Sequence, residues 1–131
     1  MLAQLATALR LIGDVVPAQI TTLGGGCSVS VAPFSELAQR YGQDLAVVWI
    51  DSHPDVESGQ TAYAGYHAIA VLAPVGHRGA DVLVLLPATV RAARVALVGP
   101  RAWEPDVYAH VGERGGGLAG GPEHVSVGPS R

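Results

Sequence analysis

Apolar positions along this chain follow two rhythms. From Met1 to about Ile12, the residues Leu2, Leu5, Ala6, Leu9 and Ile12 recur at spacings of three and four, which places them on one face of a helix, and Gly13-Asp14 is a natural stop. After Pro17, the run Gln19-Ile20-Thr21-Thr22-Leu23 predicts a short strand of β-branched residues, ending in Gly24-Gly25-Gly26-Cys27-Ser28. A run of glycines lets the backbone turn sharply or lets another group approach it closely. Ser28 or Ser30 then caps a second helix that runs to about Tyr41, with Phe34, Leu37, Ala38 and Tyr41 on its inner face and Gly42 closing it. Leu45 to Ile50 follows, almost unbroken in hydrophobicity, which predicts a strand covered on both faces.

From Val56 to Tyr66 the chain is polar and contains glycine, the composition of a long loop or active-site rim. His67 to about Val75 predicts a short helix of small apolar residues, disturbed at its end by Pro74. Ala80 to Leu86 fits a strand or a buried helix equally, since periodicity does not separate the two in a short apolar run. Arg94-Val95-Ala96-Leu97-Val98-Gly99 predicts a further strand. The strand-helix-strand alternation argues for an α/β layer with a mainly parallel sheet. After Arg114 the glycine-rich residues 115–131 carry too little apolar surface to pack, so the expected organisation is one α/β domain over residues 1–114 and a flexible tail.

The chemistry gathers where the central strand ends, at Asp51-Ser52-His53-Pro54-Asp55. In an extended backbone, residues two apart point to the same side about 6.5 to 7 Å from one another, so Asp51, His53 and Asp55 can converge on one region. Pro54 biases His53 away from the helical region and supports that extension. Two carboxylates and an imidazole make a half-site for a divalent cation such as Mn, Fe, Co or Zn. The competing reading is a solvated polar turn after a strand.

Composition narrows the field of functions. The 131 residues are long enough for one domain with a sizeable core, and 49% hydrophobic against 15% charged residues is a globular balance. A net charge of -3 gives no electrostatic footprint for nucleic acid. All 8 basic residues are arginine, which removes lysine Schiff-base chemistry and the phosphate-loop lysine. The glycine turn also fails the dinucleotide pattern, because Val29 stands where the third glycine belongs. A lone cysteine forms no internal disulfide, and neither a signal peptide nor an apolar run of membrane-spanning length is present, so a cytoplasmic protein with no membrane partner is expected.

Four segments in order resemble the arginase/agmatinase family, the ureohydrolases: Leu23-Gly24-Gly25-Gly26-Cys27-Ser28-Val29, then Trp49-Ile50-Asp51-Ser52-His53-Pro54-Asp55, then Gly65-Tyr66-His67-Ala68, and Val95-Ala96-Leu97-Val98-Gly99-Pro100-Arg101. The resemblance implies a three-layer α/β/α sandwich, a pair of Mn2+ ions, and hydrolysis of a linear guanidino or amidino C–N bond in a small substrate, with urea released. It implies that Asp51 resembles the carboxylate bridging the two metals, that His53 and Asp55 each resemble a ligand to one of them, and that His67 falls where a histidine is credited with proton transfer. The alternative for His67 is a helix-capping or surface histidine. His77, His110 and His124 match no motif and are expected at the surface.

Two departures from that family pattern change the expectation. Cys27 occupies the position of a metal-binding histidine; as a thiolate it is a softer ligand that favours Zn or Fe over Mn, and otherwise it is a small buried residue. The family's later Asp-x-Asp metal motif does not occur after Asp55, so the fold is expected to be truncated, the enzyme impaired, and one weakly held ion to replace the pair. Unpaired sheet edges left by the missing strands predict self-association. Two other functions compete: a non-catalytic metal-binding fragment or interaction module, and a thiol hydrolase with Cys27 as nucleophile and His53 or His67 as base. Glu57 in the rim loop either pairs with a substrate amino group or is solvated.

Overall fold

The computed structural model describes residues 2–53, 55, 80–101 and 117–119. Helix α1 spans Leu2–Val15 and packs against α2, Val31–Tyr41. Strand β1 is Val47–Ile50, a single helical turn α3 is Ala80–Leu83, and strands β2 and β3 are Val95–Val98 and Gly117–Ala119. The described strands form one parallel sheet in the order β1-β2-β3, with Val47 opposite Val95 and Ala96 opposite Gly117. All three strands therefore present their carboxyl ends at the same edge of the sheet.

Of the apolar face predicted for α1, Leu9 is buried and Leu5 and Ile12 are half-buried, while Leu2 and Ala6 face solvent. The helix does not stop at Gly13-Asp14. Arg10 and Asp14, one turn apart, form an exposed ion pair at 3.2 Å, and the helix ends three residues later than expected. Val16 closes it in the left-handed region (φ 48°), its N–H donating to Ile12 O at 2.9 Å, and Pro17 follows. Arg40 from α2 reaches across to the same helix end and donates to Pro17 O at 2.8 Å and Ile12 O at 3.3 Å. One guanidinium thus pairs the Pro17 carbonyl just past the helix end and gives Ile12 O a second donor beside the Val16 N–H.

The predicted strand at Gln19–Leu23 pairs with no other strand among the described residues, and Leu23 is largely exposed. A β-branched run becomes a strand only where a neighbour supplies a ladder, and the described chain places none there. A 3-10 turn, Cys27–Ser30, then leads into α2, and Ser30 stands at the cap position without a side-chain cap bond. Gly24 is needed for close approach, because a Cβ there would collide with Cγ1 of Val29. At the far end of α2, Gly42 adopts φ 52° and its N–H donates to Ala38 O, as its sequence position implies.

The core joins α2, the sheet and the β2 approach: Val31, Ala38, Val47, Trp49, Val82, Val90, Val95 and Leu97 are buried together. Phe34 meets Trp49 with ring centroids 6.4 Å apart and planes tilted by 55°. Ser35, fully buried in α2, donates to Ala88 O at 2.5 Å and accepts from Ala88 N–H at 3.3 Å, tying the segment before β2 to the helix. Tyr41, expected inside, is exposed, and Ser35 and Glu36 are buried instead, so the buried face of α2 departs from its apolar pattern. The ambiguous Ala80–Leu86 run begins with the helical turn α3, whose Val82 enters the core.

Strand β1 is buried on one face only. Val47 and Trp49 point into the core, whereas Val48 and Ile50 are 63% and 79% exposed, which corrects the expectation of cover on both faces. Unbroken hydrophobicity records what a strand can bury; no described residue covers its second face. Strand β3 lies within residues expected to form a tail. A parallel ladder is made of main-chain groups, so the segment joins the sheet through its backbone whatever its composition.

Candidate functional site

Asp51 and Ser52 are held by β2 after the formal strand has ended. Asp51 N–H donates to Val98 O at 3.2 Å, and Arg101 N–H donates to Ser52 O at 2.8 Å. Between these bonds Gly99 turns at φ 77° and Pro100 is fully buried, so the Gly99-Pro100-Arg101 turn is a fixed wall behind Asp51 and Ser52. In an open parallel α/β sheet, the carboxyl ends of the strands are where ligands bind, and this cluster sits there.

The segment does not continue in the extended form that its residue spacing predicts. Ser52 and His53 form a bend, and His53 N–H donates to Asp51 Oδ1 at 3.0 Å, an Asx turn in which the carboxylate folds back onto its own backbone. His53 Nδ1 consequently lies 3.7 Å from Asp51 Oδ1, much closer than a pair of alternate residues on a straight strand. Ser52 joins them: its Oγ–H donates to Asp51 Oδ1 at 3.4 Å, and its Oγ lies 3.1 Å from His53 Nδ1. The side chain of Asp51 is 35% exposed and that of His53 64%, so the pair opens to water.

Asp55 behaves differently from its two predecessors. It is buried (7% exposed) and its backbone is left-handed, φ 49°, a conformation that aspartate tolerates better than most side chains. Cys27 begins the 3-10 turn and packs, half-buried, against the core. That turn separates it from the first residue of α2, whose N-terminus the thiol hypothesis requires. Among the described residues, no three His, Cys, Asp or Glu side chains gather into a metal site. Asp51 and His53 come together; the structure does not bring Asp55 and Cys27 into a group with them. His67, His77, His110, His124, Glu57 and the rest of the 56–66 stretch lie outside the described residues.

The donor chemistry can be tested against a divalent ion on these atoms. Two donors 3.7 Å apart can share one ion with bonds of about 2.1 Å. Two ions would require more protein donors than the described cluster provides, and a single carboxylate offsets only part of the charge of one. Sequence reasoning overlooked Ser52. Its signal was a hydroxyl standing between two residues of ligand type, visible only once the segment is allowed to turn.

A cavity of about 410 Å3 lies elsewhere, between α1 and residues 22–32, lined by Leu5, Leu23, Val29, Val31 and Val82 among others. None of its lining residues is titratable, so its size does not make it a site of acid, base or metal chemistry. Among the described residues, no helix is long and apolar enough to cross a membrane.

Comparison with known proteins places these features in a family context. The family model described as the Arginase family matches residues 2–117. An arginase of Agrobacterium fabrum is 33% identical over 97 residues, covering 71% of this chain and 30% of that protein. The crystal structure of arginase from Bacillus cereus superposes with a TM-score of 0.70 at 22% identity, over 89% of this chain and 41% of that one. The fold match agrees with the α/β assignment made from the described elements. The chain spans well under half the length of either relative.

Proposed function

Because the chain belongs to the arginase family, we propose that its reaction type is metal-dependent hydrolysis of a linear guanidino or amidino C–N bond, with urea released, and that the activity of this chain on its own is low. The observation that carries the reading is the Asp51–His53 pair, 3.7 Å apart at the carboxyl edge of the sheet, inside a segment that matches the family. Asp51 and His53 hold a divalent ion, Mn2+ on the family precedent, with Zn or Fe favoured if Cys27 contributes a thiolate. Such an ion, when bound, activates water for attack at neutral pH. Asp55 is a further ligand, and His67 moves the proton to the departing amine, a role suited to an imidazole. The substrate is a small guanidino or amidino compound in a cytoplasmic setting. Self-association through unpaired sheet edges belongs to the same reading; β1 is an edge of the sheet among the described strands, and the exposed Val48 and Ile50 add an apolar face beside that edge.

Urea release from arginine, agmatine and guanidinobutyrate, measured with added Mn2+ and with a chelator, tests the activity. The reading expects a weak signal that Mn2+ raises and the chelator abolishes; no metal-dependent urea on any substrate would leave common ancestry alone. One observation favours a second reading, a non-catalytic metal-binding module: the described cluster has donors for one ion and opens to water. Its signature in calorimetry is one weak binding event without turnover.

A further inference from the structure

The cavity between α1 and residues 22–32 shares no residue with the corner after β1. Val31, Ala32 and Val82, from α2 and α3, are the most buried of its walls, at 5%, 4% and 2% exposed. Helix α1 contributes Leu5 and Ala8, both half-buried. Leu23 and Val29, 92% and 37% exposed, carry the apolar surface out to the mouth. That part of the wall is held in place by Gly24, on which Val29 packs too closely for any Cβ. Gln4, Thr22 and Ser28 complete the lining; they are exposed, and their side chains take part in no hydrogen bond among the described residues.

Size decides what kind of occupant fits. A sphere of about 410 Å3 has a wall of about 270 Å2, a third of the roughly 800 Å2 that each partner buries in a stable protein complex, so the cavity suits a small molecule and not a protein face. Its volume falls within the roughly 300 to 1,000 Å3 of small-molecule sites. An apolar cavity of about 150 Å3 holds benzene, so this one admits up to roughly sixteen non-hydrogen atoms. Its described lining residues offer neither an aromatic ring to stack on nor a charge to pair with. We propose that this cavity binds an uncharged aliphatic molecule of about ten carbons that ends in one hydroxyl or amide. The hydrocarbon lies on Val31, Ala32 and Val82, and the polar end meets Gln4, Thr22 and Ser28, which can both donate and accept. Each methylene taken out of water tightens binding about fourfold, so chain length sets the affinity. The site takes no part in the hydrolysis proposed above, and neither proposal depends on the other.

The test is titration of the full chain with 1-decanol, read from the methyl resonances of leucine, valine and isoleucine in carbon-proton NMR spectra. Saturable shifts are expected at Leu5, Val29, Val31 and Val82, and none at the exposed Val48 and Ile50 of β1. 1-Octanol, two methylenes shorter, is expected to bind about tenfold more weakly, and decanoate and decylamine no more tightly than decanol. Ala8→Phe fills the cavity and is expected to abolish the shifts, with far-UV circular dichroism and unmoved Val47 and Val95 resonances showing that the chain is folded. Leu23→Asp alters a side chain already in water, so folding is not at stake, and is expected to weaken decanol binding about fivefold. Absence of saturable shifts at the four lining residues, shifts concentrated on Val48 and Ile50, or decanol binding unchanged in Leu23→Asp overturns the site. Decanoate or decylamine binding more tightly than decanol overturns the ligand class. The same shifts produced by raising the protein concentration without decanol would mean that a second copy fills the cavity, and overturn the proposal as well.

Discussion

Replacing Ser35 by alanine removes one oxygen from the middle of α2 and breaks two hydrogen bonds at once. That oxygen is inaccessible to water, donates to Ala88 O at 2.5 Å and accepts from Ala88 N–H at 3.3 Å. Each bond has a net value of about 1 kcal/mol. Against this, alanine is the better helix former by about 0.5 kcal/mol. Ala88 is half-buried, so water recovers part of its pairing and the full cost of two orphaned buried groups is not reached. The expected net loss is about 1.5 kcal/mol, or roughly 5 °C in Tm for a chain of this size. Urea denaturation followed by far-UV circular dichroism should show a lower midpoint with an unchanged slope. Ser30→Ala is the control, because Ser30 holds the cap position of the same helix without a side-chain cap bond and should change stability by no more than about 0.5 kcal/mol. If Ser35→Ala is no more destabilising than Ser30→Ala, the tie between α2 and the segment entering β2 does not exist as described.

Other substitutions probe separate parts of the structure. Gly24→Ala forces a Cβ into Val29 and should cost about 1 to 3 kcal/mol in chemical denaturation, most of it recovered when Val29→Ala is added; additive losses would refute the contact. Arg40→Ala removes two bonds to the carbonyl end of α1 and should speed hydrogen exchange in its last turn, with a loss of about 1 to 2 kcal/mol that Arg40→Lys only partly restores. Val48→Lys with Ile50→Lys places charge on the open face of β1 and should shift the chain toward monomer in light-scattering chromatography while changing stability by about 0.5 kcal/mol or less; an unchanged mass distribution would exclude that face as the associating surface.

The elements were legible where periodicity and punctuation agreed. The period of α1, the glycine after Tyr41 and the run from Val95 to Val98 each carry a local signal that the structure reproduces. What failed depends on partners distant in sequence. Gln19–Leu23 has strand composition but no neighbouring strand among the described residues, and β1 has a two-sided hydrophobic pattern with one side covered. Gly117–Ala119 joined the sheet through backbone bonds that composition does not reveal. At the site, the residue types drew attention to the end of β1, but the geometry was read from an extended backbone. The Asx turn at Asp51, a local competitor to extension that aspartate commonly offers, moved His53 toward the carboxylate and drew Ser52 between them.

The claim beneath all of these functional readings is that the corner after β1 holds a divalent cation. Anomalous diffraction from crystals of the full chain grown with Mn2+ tests it most directly. The account predicts one peak within about 2.5 Å of both Asp51 Oδ1 and His53 Nδ1. An anomalous map with no peak there, or with Mn2+ bound only at a place remote from these two side chains, would contradict it.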